Sequence, residues 1–484
     1  MVTKVAALFF VCTIIARKRS ENYAFAMKNI RLCLLAVALV ALVKTSAQRC
    51  LTFDDAVAVA LTENPAVVAS NYAEQAAHRE RQAAIGLFMP RVMVRGAYAH
   101  LNQDVKIDLN PMLSSVLPIL GDGLSALGLD FSYALQRKNT AFLGGDVELP
   151  LFTGGKIITA NKAAKINEER TREQSRQVQG ALMVEIVERY FGVELARRGV
   201  QIRQEAVAVV NQHLYDVVVL EREGMAVASE RLYAEYRLAE AERDLQRAKL
   251  QLETAVKALQ SSLGATESVE PSTPMFLASK IEPLAYFQAM AELHNPQLGE
   301  VDKVRDLAVM NVRMHRAEFF PEVVAMGGMR FCDYQLTSLA PRMAVGVGLN
   351  FKIFDGLNRE YRYSAARWQL RRVEALERKA EQEVSLLVEN LYNKVQSVLS
   401  TVDAVERSER FATEFLRAKR SAFHNGMATA TDVVDAVLNL SRARLERVQT
   451  AYDFDVALAR LLNASGMGGA FQQYLHAPTS QSVF

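Results

Sequence analysis

The chain has 484 residues, of which 50% are hydrophobic and 23% charged, with a formal net charge of +3. That length allows about two to four ordinary domains, and a mean hydropathy of +0.02 excludes a polytopic helical membrane protein. Residues 1–47 hold seven Lys/Arg and one acid, leaving 50 basic and 53 acidic residues, net −3, and nothing that recommends a nucleic-acid partner.

Lys28-Asn-Ile-Arg31 is basic, residues 32–43 form an apolar run, and Thr45-Ser46-Ala47 ends on a small residue. This is the layout of a secretory signal peptide over 28–47, cut after Ala47. The run is shorter than the ~20 apolar residues a spanning helix needs. Met27 stands directly before the basic residues, so 1–26 reads as an over-extended gene start and 1–47 as leader. Cys50 and Cys332 are the cysteines left after cleavage, too few for a disulfide framework. Ala47-Gln48-Arg49 lacks the small residues expected before an acylated cysteine, so Cys50 is expected to be unmodified.

From there the chain repeats itself. Asn64-Pro65 recurs as Asn295-Pro296 and Met89-Pro90 as Phe320-Pro321, both 231 residues on. Leu151-Phe152-Thr-Gly154 recurs as Ile353-Phe354-Asp-Gly356, segment 223–230 as 425–432, and Leu263-Gly264 as Ser465-Gly466, all 202 residues on. The register slips once, by 29 residues, between about Val92 and Leu149, where the first copy carries a variable loop around Leu120-Gly-Asp-Gly123. The expected organisation is a first repeat at 48–264, a linker at 265–282, a second repeat at 283–466 and a polar tail at 467–484.

Within each copy the elements follow from period. Strands are expected at about 91–100 and 142–152, and again at about 322–334 and 343–354. In the last of these, Met343, Val345, Val347, Leu349, Phe351 and Ile353 share one face, and Ala344, Gly346, Gly348, Asn350 and Lys352 the other. Its counterpart sets Leu143, Val147, Leu149 and Leu151 against Asp146 and Glu148. Such segments carry the signature of outer-membrane strands, and a half-buried strand of a soluble sheet alternates in the same way. No proline interrupts 154–224 or 356–426, each about 105 Å long if wholly helical. The returning stretch 224–264 adds about 60 Å and 65–88 about 36 Å, so two shorter helices stacked end to end match one long one. Val384, Leu387, Leu391, Val395, Val398, Val402 and Val405 recur at coiled-coil spacing. Four strands cannot close a barrel, so membrane strands here require other subunits.

In their order and duplication, residues 51–65 (Leu-Thr-Phe-Asp-Asp-Ala-Val-Ala-Val-Ala-Leu-Thr-Glu-Asn-Pro), Pro150-Leu-Phe-Thr-Gly-Gly155, Phe354-Asp-Gly356 and the run Gly426-Met-Ala-Thr-Ala-Thr-Asp-Val-Val-Asp435 give the mature chain a family likeness. The sequence resembles the TolC-type outer membrane efflux proteins. The resemblance implies a mainly α protein with membrane β: a homotrimer with a 12-stranded β-barrel continued by an α-helical coiled-coil barrel. It places the protein in the outer membrane of a diderm bacterium, among outer membrane lipid, with helices projecting into the periplasm. It further implies a passive exit duct that docks to a periplasmic adaptor and an inner-membrane pump of RND, ABC or MFS type, in tripartite efflux or type I secretion.

The same resemblance assigns roles to residues. The turns at Gly224-Met225 and Gly426-Met427 correspond to the adaptor-facing end, with Ser229 and Thr431 as candidate caps for the helices that follow. Asp432 and Asp435, on one helix face by their i, i+3 spacing, correspond to acidic entrance residues, and Glu230 holds the acidic position of the first copy. Repeated around a trimer, their mutual repulsion is expected to raise some of their pKa values. Ala428 and Phe423 depart from the basic residue and tyrosine found in some members, so any lock must use other partners. Asp146, Glu148 and Lys352 are expected to face the barrel lumen, with Phe152, Phe351 and Phe354 ending strands as an interfacial girdle.

The seven histidines show no metal-ligand spacing, Gly346-Val-Gly348 lacks a third glycine, and no phosphate loop occurs. The reading is therefore of a protein without catalytic residues, metal or cofactor. The rival is a non-channel periplasmic or surface coiled-coil scaffold, against which the duplicated strands beside Gly154 and Gly356 argue.

Overall fold

A computed structural model describes residues 49–109, 111–112, 132–264, 269–278, 280–336, 341–477 and 480–482. The expected leader at 1–47 and the loop around Leu120-Gly-Asp-Gly123 lie outside the described residues. A small unit, 1–50 with 266–270, contains most of the pairing between β1 (Arg49–Leu51) and β5 (Val269–Pro271). The larger unit, 51–265 with 271–484, holds the other elements.

The first copy runs α1 (Phe53–Glu63), α2 (Pro65–Ile85), β2 (Arg91–His100), β3 (Val105–Asp108), β4 (Ser132–Phe152), α3 (Lys156–Arg222) and α4 (Ala228–Leu263). After β6 (Phe276–Ala278), the second runs α5 (Leu284–His294), α6 (Pro296–Ala317), β7 (Glu322–Leu336), β8 (Met343–Asn350), α7 (Asn358–His424) and α8 (Ala430–Ala464). The chain ends with α9 (Phe471–Leu475) and β9 (Ser480–Ser482). The duplication holds element by element: α3 and α7 have 67 residues each, about 100 Å of helix, and α1 and α5 have 11 each.

The repeated Asn-Pro explains how each copy is closed. Proline suits the first position of a helix, where its missing N–H is not needed. Asn295 caps α6 by accepting from the Gln297 and Leu298 amides at 2.8 and 3.1 Å, while its own amide donates to the Ala464 carbonyl at 2.7 Å. Asn64 does the same for α2, accepting from Ala66 and donating to the Ser262 carbonyl, each at 2.8 Å. One side chain thus joins the stacked helix pair to the end of the returning helix. The approach is close enough that a methyl at Gly466 would overlap the His294 carbonyl, and Gly466 also has φ +71°.

The sheet has the order β2-β4-β7-β8, with β3 also on β4. Arg91 pairs with Glu148 in β2–β4, and Glu322 with Asn350 in β7–β8, the same register in both copies. β4 joins the copies by pairing with β7, Glu148 opposite Met326. β4 starts at Ser132, ahead of the expected 142, because its early part pairs with β3. β8 stops at Asn350, short of the expected 354. Its partner β7 begins at Glu322, so later residues have no ladder, and Arg359 takes the Lys352 and Ile353 carbonyls at 2.8 and 3.2 Å. Phe351 and Phe354 therefore lie beyond the strand rather than ending it.

The coiled-coil seam needs one correction. Leu387 is 45% exposed and Val388 is buried, so the inward positions run 384, 388, 391, 395, 398, 402, 405. That is the strict four-three alternation of a heptad, which Leu387 breaks. The segment read as the linker carries buried Met275 and Phe276, and the tail buries Phe471. Phe276 meets Phe454 and Phe471 edge-on, and Phe471 lies against Phe53 and Phe191. Tyr190 Oη in α3 donates to the Leu51 carbonyl at 2.7 Å and accepts from the Ser272 and Thr273 amides at 3.0 and 2.9 Å. Among the described residues no helix is long and apolar enough to cross a membrane.

Asn295→Ala removes a cap and leaves the buried Ala464 carbonyl without its donor. It should cost about 2 kcal/mol, read as a lowered unfolding midpoint in detergent. The same change at Leu298, whose amide the cap serves, should leave the Ala464 bond in place and so provides the control.

Candidate functional site: helix tips and charged sheet face

Each long helix ends in a left-handed glycine. Gly224 (φ +75°) and Gly426 (φ +70°) let the next amides turn back, Met225 N–H to the Leu220 carbonyl and Met427 N–H to the Ala422 carbonyl, both at 2.8 Å. Met225 and Met427 project with 65% and 75% exposure. The cap of α8 is Thr429, not Thr431. Its Oγ1 accepts from the Asp432 amide at 3.3 Å while the Asp432 carboxylate accepts from the Thr429 amide at 3.0 Å, a reciprocal capping box. In the first copy the equivalent cap is Val227, which has no side chain to offer, and Ser229 lies inside α4.

Asp432 and Asp435, the acids expected at the entrance, both have cationic partners within the chain. Asp432 also accepts from Lys419 Nζ at 3.0 Å. Within the single chain the Thr429 backbone amide, then Lys419, hold its carboxyl down at about 2. Asp435 accepts from Arg237 Nη2 at 3.0 Å, so α8 of the second hairpin is tied to α4 of the first. Arg237 is shared with Glu240 Oε2 at 2.8 Å and Tyr233 Oη at 2.9 Å, and its pKa is raised, chiefly by Glu240. Glu230, in the first turn of α4, makes no ion pair among the described residues.

Behind the tips, His213 of α3 is buried and donates from Nε2 to the Ala430 carbonyl at 3.0 Å. It packs edge-on against Phe423 at 4.7 Å, so the residue standing in place of the tyrosine fills the core. Burial lowers the His213 pKa below its ordinary 6.5. Lys419, Arg237 and His213 were not singled out from sequence. Their partners are 13, 198 and 217 residues away, beyond any local pattern.

On the sheet, paired residues share a face. The β2–β4 register sets Arg91 opposite Glu148 and Met93 opposite Asp146, while β4–β7 adds Arg330 opposite Gly144. Arg95 Nε donates to Asp146 Oδ2 at 2.6 Å. Val92, Val94, Val147, Leu349, Val347 and Val345 occupy the other face and are exposed in the single chain. Asp146 and Glu148 therefore sit on a charged face with three arginines that were missed, Arg91, Arg95 and Arg330, although the alternation of Arg-Val-Met-Val-Arg at 91–95 carries the same period. Lys352 lies past the end of β8 with Lys156, Glu322 and Arg362 around one cleft, where Lys156 Nζ pairs with Glu322 at 2.5 Å.

A sheet with one charged and one apolar exposed face, carried on duplicated proline-free helices, defines a membrane conduit component. The family model described as outer membrane efflux protein matches residues 56–265 and 289–467, and the chain belongs to that family. Membership sets it in the outer membrane, among conduits rather than enzymes. It is 25% identical over 323 residues to the alkaline protease secretion protein AprF of Pseudomonas aeruginosa, a match covering 63% of this chain and 64% of that protein, just under two thirds of its length. Among solved structures it is similar to CusC, described for transmembrane channel formation, with TM-score 0.71 and 17% identity, covering 86% of this chain and 92% of that one. It is also similar to the outer membrane protein VceC from Vibrio cholerae, with TM-score 0.67 and 15% identity over 86% of this chain and 96% of that one.

Two measurements probe the tips. Thr429→Ala should cost about 1 kcal/mol, and Val227→Thr, which gives Glu230 a capping partner at the third helical position, should gain about half as much in the same unfolding assay. Because the His213 pKa is depressed on folding, its contribution is present above about pH 6.5 and lost as pH falls below it. The melting temperature should drop between about pH 7.5 and 5.5, and His213→Gln, which keeps a donor for Ala430, should flatten that drop.

Proposed function

We propose that the chain is a subunit of the exit duct of a tripartite efflux pump or type I secretion system. Three copies close a 12-stranded barrel in the outer membrane and continue it as a helical channel in the periplasm. The observation that carries this reading is the sheet, four strands wide, apolar on one face and, among the described residues, open at both edges, which no single chain can satisfy in lipid. The exposed turns at Gly224-Met225 and Gly426-Met427 are the docking end for a periplasmic adaptor, and an inner-membrane pump of RND, ABC or MFS type supplies the energy. The similarity to a protease secretion protein makes a secretion pump the first to test.

Asp432, Asp435 and Glu230 form the entrance, with Lys419 and Arg237 as counter-charges, and Asp146, Glu148 and Lys352 line the barrel lumen. Glu230, with no cation of its own among the described residues, supplies the net negative charge of the mouth.

Purified protein should form a detergent-stable trimer and conduct in planar bilayers. A monodisperse monomer by light scattering, or a silent bilayer, would leave the coiled-coil scaffold as the better reading. The double variant Asp432→Ala/Asp435→Ala removes the carboxylate from Lys419 and leaves Arg237 with Glu240, so the reversal potential should move toward anion selectivity and block by multivalent cations should weaken. An unchanged reversal potential and block would remove these residues from the entrance.

A further inference from the structure

A cleft of about 410 Å³ lies where the sheet meets the long helices. Its walls are the starts of α3 and α7, the segment after α6 and the paired ends of β7 and β8, all from one chain. Glu322 and Asn350, opposite one another in the β7–β8 ladder, edge the cleft and share the charged face with Asp146 and Glu148. The duplication shows that the fold does not need the charges found here. Moved by the repeat offsets, Lys352, Arg359 and Arg362 become Pro150, Ile157 and Ala160, and Glu318 becomes Leu87. The first copy makes the same strand-to-helix junction without them. The second copy also opens α7 on Leu357 at φ +65°, where the first has Gly155, a conformation that disfavours a residue with a Cβ.

Most of these charges already have partners. Lys156 Nζ pairs with Glu322, Glu318 stands 3.3 Å from His315 Nδ1, and Asp355 accepts from the Asn358 amide at 3.2 Å. Arg359 is only 8% exposed. It donates to the Lys352 and Ile353 carbonyls and lies 5.0 Å from the Phe319 ring centre, so it fixes the segment that presents Lys352. Its Nε is buried and makes no hydrogen bond among the described residues, with Asp355 Oδ2 at 3.4 Å. Lys352 and Arg362 differ from the rest. Both are exposed, both line the cleft, and neither has a carboxylate partner among the described residues. Both are donors only. An occupant that satisfies them must therefore be anionic and rich in acceptors. A carboxylate's two oxygens are filled by the arginine fork alone, whereas a phosphate keeps oxygens for the lysine as well.

We propose that this cleft is an anion subsite in which Lys352 and Arg362 hold a phosphate group. Arg359 positions Lys352 through the two carbonyls and does not itself need to touch the ligand. The phosphate has two possible sources, a free phosphate or phosphate ester in the channel and the headgroup of a lipid at the membrane boundary. The location of the site rests on the reading above, which puts the charged face toward the lumen at the base of the barrel. The binding does not, because one chain supplies every wall.

The test is calorimetric titration of the full chain in detergent, at fixed ionic strength, with inorganic phosphate and separately with dihexanoylphosphatidylglycerol. Saturable binding of at least one is expected. Each of Lys352→Gln and Arg362→Gln removes a charge-assisted contact and should weaken that binding about tenfold. Lys352→Pro with Arg362→Ala installs the residues of the first copy and keeps the carbonyl that Arg359 uses, so it should abolish binding without lowering the melting temperature. Arg372→Gln, an exposed arginine farther along α7, should leave binding unchanged. Saturation by inorganic phosphate assigns the site to a free phosphate or ester, and saturation by the lipid alone assigns it to a headgroup. Absence of saturable binding in wild type, or equal binding by the two glutamine variants, overturns the subsite and leaves the exit-duct reading standing. Binding by a protein that forms no trimer and conducts nothing would uphold the subsite and overturn that reading instead.

Discussion

The backbone groups along the outer edges of β2 and β8 are the constraint on which the rest turns. Among the described strands, β2 pairs with β4 alone and β8 with β7 alone. The face they share carries Val345, Val347 and Leu349 outward, a surface suited to hydrocarbon. There an unpaired amide or carbonyl costs several kcal/mol, because no water is present to take its place. Barrels remove such edges by closure, and with four strands per chain closure has to come from further copies. The helices then have a geometric task. In the proposed assembly they hold neighbouring copies at the spacing the strands demand, which favours long, regular elements of fixed length. The identical 67-residue length of α3 and α7 answers that demand.

Duplication supplies the regularity, and the places where the copies diverge are informative. The first long helix carries Tyr190, which gathers Leu51, Ser272 and Thr273, and beside it Phe191 stacks on Phe53 while Phe471 closes the cluster. The second carries Tyr392 at the equivalent position, whose hydroxyl accepts only from Gln396 in its own helix. The inter-repeat segment and the tail pack on α1 and α3 of the first copy and on α8 of the second, so the chain is asymmetric there while its long helices and strands stay equivalent. The tips diverge too. The second hairpin turn is fixed by Thr429, Asp432 and Lys419, whereas the first has Val227, which offers no capping group, and a Glu230 with no ion pair among the described residues, braced instead by Arg231 bonded to Glu221 at 2.8 Å.

Much of this architecture was legible in the residues. The Asn-Pro pairs, the Gly pairs and the offsets of 231 and 202 marked the units, because caps and left-handed turns need those residue types at fixed places. Period identified the strand faces, since one residue's shift would turn Asp146 and Glu148 onto the apolar face. What stayed hidden was tertiary. Leu387 and Val388 both fit an approximate heptad, and only packing selects Val388. Thr429 and Thr431 are both plausible caps until the helix start at Ala430 is fixed. The pairing of Asp432 and Asp435 with Lys419 and Arg237 depends on which helices lie side by side, as does the burial of His213 against Phe423. An acid two turns into a helix looks solvated in sequence whether or not a cation from another element reaches it.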